Sequence, residues 1–236
     1  MLSFYDIPIG RGEEAACRRC AGAPTPGHVD ASALTRRIDD VIAARPGAGL
    51  LLSDTGSGEH ADLYGLVAHA VRAGVTRVGV RVPGRTLADS PAAAGLLKSG
   101  ARVFEVPFLG SSPESHDLLT GVPGDLEATS AGVRNIREAA EALGMRVAVR
   151  ARIQVCRHNL QDLPATVMHC AQTGVSSVVL VCPKELDPRR SAEWLAAACD
   201  TGTVNRIWVT VTGMVAGALG DKALHTVDPL TILEVP

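Results

Sequence analysis

Aromatic residues and lysine are scarce in this sequence of 236 residues. Phe, Trp and Tyr together make up 3% of it, so the hydrophobic core must consist mainly of aliphatic side chains. Only three of its 23 basic residues are lysine, and this arginine bias suggests a GC-rich bacterial gene. The net charge of −2 gives no electrostatic reason to expect nucleic acid or an anionic membrane as a partner.

Long apolar runs are also missing from the sequence. No stretch approaches the roughly 20 apolar residues that a membrane-spanning helix needs. The N-terminus does not have the charged and then apolar pattern of a signal peptide. We therefore expect a cytoplasmic protein.

Cysteine is too sparse for a disulfide framework, which is typical of short secreted domains. Only Cys17 and Cys20 form a close pair, and Cys-x2-Cys is compatible with zinc, iron–sulfur or redox chemistry. Cys170, Cys182 and Cys199 lie in apolar contexts that predict buried core thiols.

A phrase of Gly followed by a Val-rich run recurs four times, beginning at Gly74, Gly100, Gly144 and Gly174. Gly ends a helix without steric cost, and the β-branched run that follows suits a strand buried on both faces. Amphipathic helices lie between these phrases. Strands are predicted near residues 2–8, 49–53, 76–82, 102–107, 146–155 and 176–182.

Strands that alternate with helices form a parallel α/β sheet with right-handed crossovers. Periodicity alone leaves open a partial barrel or a doubly wound sheet. A further strand near 206–211 and an apolar segment at 230–235 are predicted to form a C-terminal extension. We divide the chain into a core, residues 1–200, and this extension, residues 201–236, packed on it. Ligands of such folds bind at the carboxyl ends of the strands.

The loop after the first strand resembles that of the radical S-adenosylmethionine (radical SAM) superfamily, whose members carry Cys-x3-Cys-x2-Cys there. Cys17 and Cys20 match the second and third cysteines, and Glu13 stands at the first position. Ser115-His-Asp followed by Thr-Gly, and Cys156-Arg-His-Asn, also match family phrases. The resemblance covers residues 2–183 and implies a parallel (β/α)6 partial TIM-like barrel. It also implies a [4Fe-4S] cluster on Cys17, Cys20 and Glu13, with S-adenosylmethionine as the second cofactor.

The same resemblance implies five cofactor-binding positions. Gly58 and Glu59 match part of the Gly-Gly-Glu-Pro motif, although a carboxylate at a helix N-terminus explains Glu59 almost as well. Gly84 stands where the family has Thr-Asn-Gly, and Gly110 where it has Ser-Leu-x-Gly. Arg152 aligns with a strand-five Asn or Ser that contacts the cofactor. The sequence therefore keeps family phrases outside the cofactor site, whereas the phrases that would bind the cluster and S-adenosylmethionine have changed.

Two functions follow from this pattern, and the sequence leaves open whether the chain is an enzyme. In the first, it is a degenerate, non-catalytic binding or partner subunit of a biosynthetic or maturation system, as in natural-product pathways. Its partner would be a second radical SAM enzyme, a peptide or a small molecule. In the second, it is an active radical SAM enzyme whose cluster is held by Cys17, Cys20 and a non-cysteine ligand. A zinc- or phosphate-binding barrel is a remoter third reading.

The last expectation concerns assembly. A barrel of six strand–helix units is open at its side, and the apolar residues after position 201, such as Trp208, are its only predicted cover. If they leave apolar surface exposed, that surface marks an interaction site. The alternative is that the segment folds back and closes the monomer.

Overall fold

A computed structural model of the chain describes residues 3–10, 27–54, 60–212 and 231–234. These residues form an α/β structure in which strands and helices alternate. Its strands are β1 (Ser3–Pro8), β2 (Gly49–Ser53), β3 (Val78–Arg81), β4 (Ala101–Pro107), β5 (Ala148–Gln154), β6 (Ser177–Val181), β7 (Trp208–Thr212) and β8 (Thr231–Glu234). Its helices are α1 (Ala31–Ala44), α2 (Leu63–Arg72), α3 (Ser90–Ser99), α4 (Pro113–Thr120), α5 (Asp125–Ala142), α6 (Leu163–Thr173) and α7 (Pro188–Val204).

The strands form one parallel sheet in the order β7-β6-β5-β4-β3-β2-β1-β8. This is the cyclic strand order of a TIM barrel, and β7 and β8 are the two ends of the row. The sheet curls, and its curvature is visible in the contact of Arg81 of β3, which reaches across β2 to bring its Nη1 within 2.8 Å of the Asp6 carboxylate on β1. The predicted α/β partial TIM-like barrel is therefore confirmed.

The repeated Gly-plus-strand phrase is confirmed in its structural role. Gly74, Gly100, Gly144 and Gly174 all have positive φ, between 63° and 115°, at the ends of helices. An L-residue with a side chain rarely adopts this conformation, which turns the chain from the helix into the next strand. Four of the predicted strands thus follow a helix-ending glycine.

The apolar core lies between the convex face of the sheet and the helices. Leu63, Leu66, Val67 and Ala70 on α2 are buried there, as their spacing predicts. The segment between β4 and α5 contains α4, which the sequence pattern did not predict. Its N-terminus is fixed by a capping box between Ser112 and Ser115. None of the described helices is long and apolar enough to cross a membrane.

Candidate functional site

The concave face of the sheet carries charged side chains in the interior of the barrel. Successive strand residues point to opposite faces, and this alternation brings five charged residues of four strands together. We call them the barrel ion cluster: Asp6 of β1, Arg81 of β3, Glu105 of β4, and Arg150 and Arg152 of β5. Three guanidinium groups thus share the interior with two carboxylates.

Glu105 lies at the centre of the barrel ion cluster and is fully buried. Its Oε1 accepts a hydrogen bond from Arg81 Nε at 2.5 Å. Its Oε2 accepts one from Arg150 Nε at 2.7 Å, and Arg150 Nη2 lies 2.5 Å from the same oxygen. Because both oxygens bind guanidinium groups, the buried carboxylate has the charge-assisted hydrogen bonds that burial requires.

Asp6 completes the cluster on the β1 side. Its Oδ2 pairs with Arg81, and its Oδ1 accepts a hydrogen bond from Ser53 Oγ at 2.5 Å. Arg81 therefore bridges two carboxylates from strands that are not adjacent. This bridge joins β1, β2, β3 and β4 across the inside of the barrel.

The pKa values of the two carboxylates shift in opposite directions. Burial alone would raise the pKa of Glu105, but the guanidinium groups of Arg81, Arg150 and Arg152 outweigh it and lower that pKa to about 2. Burial raises the pKa of Asp6 above its ordinary value, and the attraction of Arg81 compensates only in part. Glu105 is thus ionised at neutral pH, whereas Asp6 gains a proton more easily.

Below the cluster, toward the amino ends of β1 to β4, the barrel is filled. Phe4, Leu51 and Val103 are buried against one another on the concave face. A Cβ on Gly49 would lie 2.8 Å from the Phe4 ring, and one on Gly79 would lie 3.0 Å from Leu51. The two glycines make room for these larger side chains, so this part of the barrel is a packed core.

Arg152 is the predicted site residue that belongs to the barrel ion cluster, and it lies near the carboxyl end of β5. It lies two residues beyond Arg150 on β5, and its side chain keeps 11% of its surface exposed. Its Nη1 is 3.9 Å from Glu105 Oε1, which is longer than the other arginine contacts of the cluster. A guanidinium at this level can bind a carboxylate or a phosphate.

Gly84 and Gly110, the other described candidates, are both in close packing contacts. A Cβ on Gly84 would lie 2.6 Å from the Thr129 side chain of α5. A Cβ on Gly110 would lie 2.3 Å from Ser115 Oγ at the start of α4. Helix packing therefore accounts for both glycines. Their predicted role in cofactor binding stays a prediction.

Two side chains of the Ser-His-Asp phrase, those of His116 and Asp117, connect loops to helices. Asp117 caps α5, accepting hydrogen bonds from the backbone N–H groups of Gly124 at 2.6 Å and Leu126 at 2.9 Å. His116 is buried, and its Nδ1 accepts from the Leu109 N–H at 3.2 Å. Its Nε2 lies 3.3 Å from the Asp125 carboxylate, whose pKa is lowered by His116 and Arg85 despite burial. Both side chains of the phrase thus support the scaffold.

The Cys-Arg-His-Asn phrase is also structural. Asn159 is fully buried, and its amide donates to the carbonyls of Leu109 and Gln154 and accepts from the Cys156 N–H. Asp162 accepts hydrogen bonds from the Ser111 N–H and hydroxyl, at 2.8 and 2.5 Å. These contacts fasten the loop after β4 to the loop after β5.

Two histidines lie where the loop after β1 rejoins the described chain. His28 Nε2 is 3.4 Å from the buried Asp54 carboxylate at the end of β2, and its ring lies 4.9 Å from that of His60. The His60 ring bonds at both nitrogens, since Nδ1 accepts from the Asp62 N–H and Nε2 lies 3.0 Å from the Val29 carbonyl. Its contacts therefore give His60 a structural explanation.

The described cysteines are buried thiols. Burial raises the pKa of Cys170 strongly and that of Cys182 to about 11, so both remain protonated at neutral pH. The part of the chain that the structure describes contains no group of three or more His, Cys, Asp or Glu side chains placed to hold a metal ion. The predicted cluster ligands Cys17, Cys20 and Glu13, and the predicted cofactor residues Gly58 and Glu59, lie outside the described residues.

Sequence reasoning found Arg152 but missed the other four members of the barrel ion cluster. A signal was present, since Arg81, Glu105 and Arg150 each interrupt a Val-rich strand that is otherwise apolar. A charge within a strand buried on both faces needs a partner of opposite charge. Three such strands side by side therefore indicate an ion cluster between them.

No protein-family model and no curated protein matches the sequence. Solved structures do match. SuiB of Streptococcus suis, bound to its precursor peptide SuiA, aligns with a TM-score of 0.68 and 11% identity over 99% of this chain and 57% of SuiB. Methylornithine synthase PylB aligns with a TM-score of 0.67 and 10% identity over 98% of this chain and 71% of PylB. anSMEcpe with bound AdoMet gives a TM-score of 0.62 and 12% identity over 89% of this chain and 64% of that one.

These structures are radical SAM enzymes, and this chain has their fold. It spans less than three fifths of the length of SuiB. Among the described residues, Arg152 carries a guanidinium that can bind a carboxylate, and its predicted role in binding S-adenosylmethionine stays a prediction. They supply no ligand set for an iron–sulfur cluster.

Proposed function

We propose that this chain is a degenerate radical-SAM-like protein that serves as a non-catalytic binding or partner subunit of a biosynthetic or maturation enzyme system. The proposal rests on the contacts that residues at the family-like positions make in the structure. Asp117 and Asn159 hold loops and helices together, and Gly84 and Gly110 are in close contact with residues of helices. These structural roles support a protein that keeps the scaffold of the fold at positions where the family binds its cofactor.

The replacement of the first cluster cysteine by Glu13 supports the same proposal. Three thiolates normally hold the cluster of this superfamily, and a carboxylate is a harder ligand that suits iron–sulfur chemistry less well. The barrel ion cluster adds to this, because its buried carboxylates are already paired with guanidinium groups of the cluster. We propose a cytoplasmic bacterial protein on the sequence grounds given above.

A peptide is the partner class with the most support, beside a second radical SAM enzyme or a small molecule. SuiB has been solved with its precursor peptide SuiA, and anSMEcpe with a peptide named Cp18Cys. Both share the fold of this chain at identities of 11% and 14%. Light scattering after size-exclusion chromatography, alone and with the products of neighbouring genes, tests for a complex. A monomer that binds none of them would contradict the partner role.

The decisive experiment for the non-catalytic role is the iron and sulfide content of protein purified and reconstituted without oxygen. We expect no stoichiometric [4Fe-4S] cluster, and weak or absent binding of S-adenosylmethionine by calorimetry. About four irons per chain with a reduced-cluster resonance would refute the proposal. The variants Cys17→Ala and Cys20→Ala must then abolish that resonance, and Glu13→Ala decides whether the carboxylate is a ligand.

The second candidate is an active radical SAM enzyme that holds a cluster through Cys17, Cys20 and a non-cysteine ligand. The position of Arg152 favours it, since this guanidinium lies near the carboxyl end of β5, where it can bind the carboxylate of S-adenosylmethionine. Micromolar binding of S-adenosylmethionine that Arg152→Gln weakens would support this candidate. Glu138→Gln, an exposed change on α5, is the matched control.

A further inference from the structure

A groove opens at the amino ends of β5, β6 and β7, at the end of the barrel opposite to the candidate cofactor site. Its volume is about 630 Å³, and residues from three strands and the preceding turns line it. Lining residues include Arg137, Ala148, Ser177, Asn205, Arg206 and Trp208. We call it the β7 groove.

The charged side chains that line the β7 groove are all positive. Two guanidinium groups, those of Arg137 and Arg206, line the β7 groove, whereas none of its described lining residues is an aspartate or glutamate. Arg137 Nη1 donates to the Gly174 carbonyl at 2.8 Å, which fixes that side chain against the rim. A groove with positive charge and no carboxylate favours an anionic occupant.

Exposed apolar side chains lie in the β7 groove and next to its lining residues along the chain. Trp208 lies on the concave face of β7, the last strand of the row, and 52% of its surface is exposed. Val204, at the end of α7, is 81% exposed. Trp and Arg are the residue types that contribute most of the binding energy at protein interfaces. Their combination in one groove indicates a protein partner.

The backbone of Arg206 gives an independent observation. Its φ of 56° places it in the left-handed region, and it is the one described non-glycine residue with positive φ. At helix ends the chain otherwise uses glycine for this conformation, as at Gly100 and Gly174. An arginine in this conformation strains the backbone and lowers the stability of the protein locally. Stability therefore does not explain the presence of Arg206, whereas a role in binding does.

From these observations we infer that the β7 groove docks an acidic segment of a partner protein. The carboxylates of the segment pair with Arg137 and Arg206, and an apolar side chain of the segment packs on Trp208. The inference deepens the proposed partner role and rests on it, because it names the surface and the chemistry of the partner. It does not depend on whether the opposite end of the barrel binds a cofactor.

The test uses the full chain and two fluorescein-labelled twelve-residue peptides, one alternating glutamate with leucine and the other alternating lysine with leucine. Fluorescence anisotropy at low salt should show at least tenfold tighter binding of the acidic peptide. Trp208→Ser should weaken that binding about tenfold. Leu118→Ser, which changes another exposed apolar residue, and Arg72→Gly, which removes an exposed arginine, should leave it within about twofold.

Arg206→Gly gives the sharpest result because two readouts should move in opposite directions. The melting temperature should rise by about 2–4 °C, since glycine relieves the left-handed strain. Affinity for the acidic peptide should fall at least fivefold. A variant with unchanged affinity would overturn the inference even if its stability rises.

Other results would also overturn it. They are equal binding of both peptides, no binding of the acidic one, or equally tight binding of a double-stranded DNA of similar charge. A dimer in light scattering that Trp208→Ser dissociates would assign the groove to a second copy of this chain. If a complex with a neighbouring gene product forms and survives Trp208→Ser, the partner role stands and only the groove is wrong.

Discussion

Replacing Glu105 by glutamine removes the negative charge that holds the inside of the barrel together. The side chain keeps its shape, but Arg81 and Arg150 lose the carboxylate that both of them contact. Both guanidinium groups are buried and remain charged at any accessible pH. Breaking a buried ion pair from one side costs about 3–5 kcal/mol, because the remaining charge is left without compensation. We expect a loss of that size in the free energy of unfolding.

Urea unfolding followed by circular dichroism measures this loss directly. Domains are stable by about 5–15 kcal/mol, so the variant should still fold but unfold at a clearly lower urea concentration. For a chain of this length the expected drop in melting temperature is about 6–20 °C. Glu138→Gln, the same change at an exposed position of α5, should alter the free energy of unfolding by less than about 0.5 kcal/mol.

The pH dependence gives a second readout. The pKa of Glu105 is lowered from 4.5 to about 2, so its contribution is fully present above pH 4.5 and is lost as the pH falls toward 2. The difference corresponds to about 3 kcal/mol, of which about 1 kcal/mol is lost at pH 3.5. Asp6 acts with the opposite sign: its raised pKa gives a contribution that is lost as the pH rises through its folded pKa.

The gap between wild type and Glu105→Gln should therefore narrow by about 1 kcal/mol between pH 6 and pH 3.5. A protonated Glu105 is chemically close to glutamine, which is the reason for the convergence. If the free energies of unfolding of the variant and the wild type differ by less than about 1 kcal/mol at pH 7, the reasoning is refuted. It would mean that water or a rearranged Asp6 compensates the two arginines.

Three further predictions test the scaffold. Gly132→Ala should lower the free energy of unfolding, measured in urea, by at least about 2 kcal/mol, because its Cβ would lie 2.2 Å from the Gly84 carbonyl oxygen. The control Gly65→Ala, which has open space around it, should be neutral or stabilising. Asn159→Ala should cost about 2–4 kcal/mol, because it leaves buried backbone groups of two loops without partners; an effect under 1 kcal/mol would show that water replaces the amide. Cys182, with a pKa of about 11, should resist iodoacetamide at pH 8 in the folded protein and react in urea; fast labelling of the folded chain would contradict its burial.

Most of the fold could be predicted from local signals in the sequence. The glycines that end helices, the Val-rich strands and the apolar stripe of α2 all depend on contacts within a few residues, which sequence spacing reports directly. Asp30, a residue type that favours helix N-caps, caps α1, since its side chain accepts from the Ser32 and Ala33 N–H groups. Helix α4 was missed because a capping box, and not an amphipathic stripe, defines it.

The candidate site was predicted less completely. The resemblance to the radical SAM superfamily pointed to the correct fold, and it named Arg152, whose role in cofactor binding stays a prediction. It could not report that Gly84 and Gly110 are held in helix contacts, because both depend on side chains of other elements, Thr129 and Ser115. The predicted cluster ligands lie outside the described residues, so their role stays a prediction.

The sequence by itself determined the alternation of strands and helices, the parallel sheet and the aliphatic core, because these follow from hydrophobic periodicity and backbone preference. Only the tertiary structure decided how charges are arranged inside the barrel. Asp6, Arg81, Glu105 and Arg150 lie far apart along the chain and meet because the sheet curls. The β7 groove likewise exists because Arg137 on α5 lies beside Arg206 and Trp208, about 70 residues later in the chain. Coulombic attraction and burial act through space, so their outcome depends on the curvature of the sheet.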